Sequence, residues 1–106
     1  MAWIYLFVAG LLEVVWAYSM KLSDGFSRPV PATVTIVAMI ASFTLLGLAM
    51  RSLPLGTAYT VWTGIGAVGA FILGVVMLGE ALTAMRVGAA ALIVGGLVLM
   101  KLSSPA

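Results

Sequence analysis

VPATVTIVAMIASFTLLGLAM, residues 30–50, runs for 21 residues without a charged side chain. A helix rising about 1.5 Å per residue needs roughly 20 mainly apolar residues to cross a bilayer. This stretch is therefore read as a membrane span, and the rest of the chain repeats the pattern. Residues 52–79 are also uncharged and exceed one crossing, so Leu53-Pro54-Leu55-Gly56 is read as a turn before a third helix. Residues 2–20 are interrupted only by Glu13. Residues 87–100 form a shorter run between Arg86 and Lys101, whose long side chains snorkel and lengthen it. The expected fold is an all-α integral membrane protein, one domain over 1–106, with helices at about 2–20, 30–50, 56–78 and 83–102.

Composition closes off the other classes. The chain is 64% hydrophobic and 8% charged, whereas soluble domains carry about 25% charge. With no cysteine or histidine, disulfides, ordinary zinc centres, thiol catalysis and Ser-His relays are excluded. No metal, cofactor or enzyme activity is expected. A net charge of +2 is too sparse for nucleic acid and fits helix-end anchors, with Trp3 and Tyr5 as interfacial aromatics. The first span is read as retained rather than as a signal peptide. Its first basic residue, Lys21, follows the apolar run, and Glu13 sits inside it. The loops are short: Asp24-Gly25 signals a turn, Pro29 a helix start and Thr83 a helix N-cap.

Four crossings put both termini on one side, with Arg51 and Lys101; Lys21, Arg28 and Arg86 lie opposite. A bias of one basic residue specifies orientation poorly. One reading is a weak preference for a single topology; the other is insertion both ways, giving an antiparallel homodimer. Two opposed copies would have the symmetry that inverted-repeat transporters build within one chain, with substrate near the midplane. A four-helix protomer is also too small to enclose a polar pathway alone.

Glu13 lies about halfway along the first span, where an ionisable side chain is costly and marks function by default. A carboxyl out of water favours its neutral form, so it can exchange a proton for a cation. The plainer alternative is a protonated acid bonded between helices for structure. Gly10 and Trp16 share its face at minus and plus three. Tyr59, Trp62, Gly66 and Gly69 recur at steps of three or four on the third span. Ser42, midway along the second span, offers a hydroxyl that could orient a carboxylate. Gly64, Gly66 and Gly69 are read as close-packing positions or a bend, not a nucleotide loop, because no strand precedes them. Gly88, Ala91 and Gly95 form a small-residue seam suited to helix association.

At Gly10-Leu11-Leu12-Glu13-Val14-Val15-Trp16-Ala17, Gly25-Phe26-Ser27-Arg28 and Gly56-Thr57-Ala58-Tyr59 through Trp62-Thr63-Gly64-Ile65-Gly66, the chain resembles the small multidrug resistance family, and within it the guanidinium exporter subtype. The resemblance spans nearly the whole chain. It implies an antiparallel dual-topology homodimer in the bacterial inner membrane, working by proton-coupled antiport. It also implies that Glu13 of both subunits binds substrate or protons among Trp16, Ser42, Tyr59 and Trp62, and that the Gly88 to Gly95 seam joins the subunits. Trp16 marks the subtype, since exporters of polyaromatic drugs usually carry a small residue there. Thr60, where alanine is the family's usual residue, and Tyr18-Ser19-Met20 depart from the pattern.

The expected function is export of guanidinium and small substituted guanidinium ions, with protons competing for Glu13. Its partners are a second copy, the cation, protons and the bilayer, and not nucleic acid. The alternatives are a quaternary-ammonium exporter using the same carboxylate, a dual-topology ion channel and a structural membrane subunit.

Overall fold

The computed structural model describes residues 1–103, so residues 104–106 of the expected domain lie outside the described residues. Four helices follow in order: α1 (Ala2–Leu22), α2 (Pro29–Ala49), α3 (Leu55–Leu78) and α4 (Ala84–Ser103). All four are apolar and long enough to cross a membrane, which agrees with the all-α reading.

Local chemistry sets the helix ends. α1 runs on to Leu22, where Ser23 turns the chain. The buried Ser23 hydroxyl donates to the Met20 carbonyl at 2.7 Å and accepts the Phe26 N–H at 3.1 Å. Its carbonyl accepts the N–H groups of Ser27 and Arg28 at 2.9 and 3.1 Å. Those bonds hold Asp24, Gly25 and Phe26 at φ values of 50°, 71° and 67°, a left-handed run that costs Phe26 most. Pro29 opens α2, where a missing N–H leaves nothing unpaired. α3 starts after Pro54 and stops at Gly79, at φ 70°. There the Glu80 N–H reaches back to the Gly74 carbonyl at 3.0 Å and closes the helix end. The Thr83 hydroxyl accepts the Arg86 N–H at 3.1 Å and caps α4.

α1 packs on both α2 and α3, whereas α4 touches α3. The core gathers Leu6 and Ala9 of α1, Leu46 and Ala49 of α2, Leu53, and Ala58, Val61 and Trp62 of α3. No residue of α4 is buried. The Lys101 ammonium lies 4.2 Å from the ring centre of Trp3, which ties the end of α4 to the start of α1. The protomer is a slab of 43 × 34 × 16 Å.

Candidate functional site

Helix packing decides where Glu13 sits. Along the α1/α3 seam, large side chains of one helix enter glycine gaps of the other. Ile65 fills the space over Gly10, the Glu13 carboxyl that over Gly66, and Val14 that over Gly69. From the α4 side, Leu97 occupies the space over Gly64. α3 stays one unbroken helix through these glycines, so here they serve close approach and not a break in the helix. Glu13 is half-buried. Its Oε1 atom is shielded and has no hydrogen-bond partner among the described residues. The same holds for the indole nitrogen of Trp16, one turn further along α1.

Ser42 has a different neighbourhood from the one its position suggests. Fully buried on α2, it donates its hydroxyl proton to the Ala9 carbonyl at 2.7 Å and accepts the Trp62 indole N–H at 3.0 Å. A hydroxyl has one proton to donate, so in this arrangement Ser42 orients Trp62 and ties α2 to α1 rather than bonding the Glu13 carboxylate. Trp62 is thereby held by its polar edge, with its ring in the core.

The aromatics form a chain. Trp16 meets Phe43 edge-on at 6.3 Å between ring centres, Phe43 meets Trp62 at 5.8 Å, and Trp62 meets Tyr59 at 5.6 Å. Such offset and edge contacts are the favoured geometries for rings. Phe43 is the link that sequence reasoning missed. It is the one aromatic residue of α2 and directly follows Ser42, and that adjacency was the available signal. Tyr59 remains 53% exposed, so the chain of rings ends at an open face of the protomer.

Gly88, Ala91 and Gly95 lie apart from this group. All three are exposed, and no atom lies within 4 Å of a Cβ built on Gly88 or Gly95. Leu97, which packs on α3, is two residues from Gly95 and so about 200° around the helix. The small-residue seam therefore faces away from the protomer. Among the described residues no cluster of metal-ligating side chains occurs.

The sequence that builds this arrangement has known relatives. Residues 1–93 match the family described as Small Multidrug Resistance protein. The chain belongs to that family. Among its relatives, a protein named Guanidinium exporter from Escherichia coli (strain K12) is 59% identical over 98% of this chain and 99% of its own. One of the same name from Yersinia pseudotuberculosis serotype I (strain IP32953) is 58% identical, covering 98% of this chain and 100% of its own. Another from Citrobacter freundii is 55% identical over 98% and 99%. Small multidrug resistance proteins are small four-helix membrane proteins, and the four apolar helices make this member multi-pass.

Proposed function

We propose that the chain is a proton-coupled antiporter that exports guanidinium and small substituted guanidinium ions across a bacterial inner membrane. The observation that carries this reading is the Glu13 carboxyl, intramembrane and shielded at Oε1 with no bonding partner among the described residues. A carboxylate fork matches the paired N–H groups of a planar guanidinium. The relatives named as guanidinium exporters, alike over the full length, support the same cation. Trp16, Tyr59 and Trp62 supply aromatic surface, and Ser42 fixes the Trp62 ring.

Competition follows from the acid itself. A protonated carboxyl loses the charge and part of the acceptor capacity that hold the cation. One group thus serves proton and substrate in turn. The working unit in this reading is an antiparallel, dual-topology homodimer. A slab 16 Å thick, an α4 that buries nothing and an outward Gly88-Ala91-Gly95 seam support it. Such a pair would place both Glu13 groups in one chamber, where their titrations belong to the pair.

The run of rings from Trp16 to Tyr59 also favours a second reading, a quaternary-ammonium exporter held by cation–π contact. One experiment separates the readings. Affinities for guanidinium and for a quaternary ammonium are measured across pH in wild type and Glu13→Gln, with uphill transport followed in liposomes. The proposal expects guanidinium to be preferred, its binding to weaken as pH falls, and coupled transport to vanish in Glu13→Gln. Equal, pH-independent affinity in both proteins overturns the shared site. Transport that only dissipates gradients makes the protein a channel.

A further inference from the structure

Threonines on α2 and on α3 meet different surroundings. On α2, the hydroxyls of Thr33, Thr35 and Thr44 each donate to the carbonyl four residues earlier, at 2.7–2.8 Å. This is how a threonine satisfies itself inside a bilayer, where no water is at hand. Thr60 and Thr63 on α3 make no such bond. Both line a groove of about 480 Å³ between α3 and α4, together with Tyr59 and the apolar side chains of Ile93, Leu97 and Met100. A hydroxyl left open in a membrane helix points to a polar visitor.

Helix register shows where the groove leads. Thr63 precedes Gly66, the seat of Glu13, by three residues, and Thr60 precedes it by six. At about 1.5 Å per residue these are rises of roughly 4.5 and 9 Å. Positions three apart share a face. The hydroxyls therefore form a stripe that starts one turn from the carboxyl and descends along the edge bordering α4. Tyr59 belongs both to this groove and to the run of rings that includes Trp62. Glu13 itself does not line the groove, but Tyr59 and Thr63, on its near edge, adjoin the face of α3 on which the carboxyl rests.

We infer that Thr60 and Thr63 form a subsite for the arm of a substituted guanidinium whose arm carries a hydrogen-bonding group. The guanidinium head sits at Glu13, and a hydroxyl three or four bonds away meets Thr63 first and Thr60 beyond it. Ile93, Leu97 and Met100 cover the apolar part of the arm. This deepens the proposed function and rests on it. The inference is specific to this sequence at Thr60, where the family resemblance leads one to expect alanine.

The test uses a matched pair of cations, 1-(3-hydroxypropyl)guanidinium and 1-butylguanidinium, which have the same number of heavy atoms. Each is measured against guanidinium in proteoliposomes containing the full chain. Wild type is expected to favour the hydroxyl arm over the methyl arm by roughly 2- to 10-fold, the usual range for one hydrogen bond. Thr60→Val and Thr63→Val should each reduce that ratio, whereas Thr60→Ser should keep it. Thr60→Ala, which adds no bulk, covers the case in which a valine disturbs folding. A wild type that moves guanidinium but treats the two arms alike overturns the subsite, as does a ratio unchanged in both Thr60→Ala and Thr63→Val. Loss of all guanidinium transport in wild type would instead remove the proposed function, and the subsite with it.

Discussion

The carboxyl of Glu13 rests on the bare Cα of Gly66, in the space that a methyl group would fill. Val14 stands in the same relation to Gly69, less than one helical turn along α3. The two sites differ only in what would be displaced.

Gly66→Ala and Gly69→Ala therefore make a controlled comparison. Each should cost about 1–3 kcal/mol of stability through overpacking. Only Gly66→Ala pushes on the carboxyl, so only it should also weaken guanidinium binding and move its pH profile. Thermal unfolding in detergent and titration calorimetry across pH check this. Equal affinity losses in the two variants would reduce Gly66 to a packing residue.

Ser42→Ala removes the acceptor of a buried indole N–H. Leaving that donor unsatisfied should destabilise the protein by about 1–3 kcal/mol. The effect should be much smaller in Ser42→Ala combined with Trp62→Phe than the sum of the two single changes. A double-mutant cycle on unfolding free energy gives the answer, and strict additivity would dissolve the pairing.

The connection after α3 depends on its backbone more than on its ion pair. Gly79→Ala forces a Cβ into a left-handed conformation and should cost about 1 kcal/mol. Arg86 meets Glu80 at 3.4 Å, with both side chains 40% or more exposed. Glu80→Gln, which removes the ion pair and leaves the Arg86 bond to the Ala81 carbonyl in place, should thus change stability by at most about 1 kcal/mol, with high salt removing most of the difference. Denaturation at two salt concentrations tests both statements.

The topology reading makes its own forecast. Two lysines added to either set of loops should lock insertion in that direction. Oppositely locked chains should be inactive alone and active together. Full transport by one locked chain on its own would remove the antiparallel dimer.

Valine at Gly88 and Gly95 should leave the protomer intact, because nothing lies within 4 Å of either position. The proposed subunit contact should suffer through bulk alone. Cross-linking in mild detergent should show less dimer, with transport falling in step. Normal dimer yield would place the contact on another face.

The four helices and the intramembrane acid were legible because both are one-dimensional signals: length without charge, and one charge within a span. What the sequence hid was pairing across helices. Nothing in the run Gly64 to Gly69 says that its gaps receive Leu97, Glu13 and Val14. Ser42 could be read as a polar residue at mid-span, but not that its proton goes to Ala9. Phe43 looked like one more apolar residue on α2 until the fold set it between two tryptophans. Such relationships depend on the rotation and depth of neighbouring helices, and hydropathy carries neither.

The left-handed run Asp24-Gly25-Phe26 has a practical consequence for anyone who wants to label this protein. Its geometry is closed by five bonds converging on the Ser23 hydroxyl and carbonyl, so one added residue there would break the closure. The exposed Ala81-Leu82 stretch carries a single side-chain bond, from Arg86 to the Ala81 carbonyl at 2.6 Å. An epitope or fluorophore tag belongs between Ala81 and Leu82, and a library of variants should leave residues 23–28 untouched.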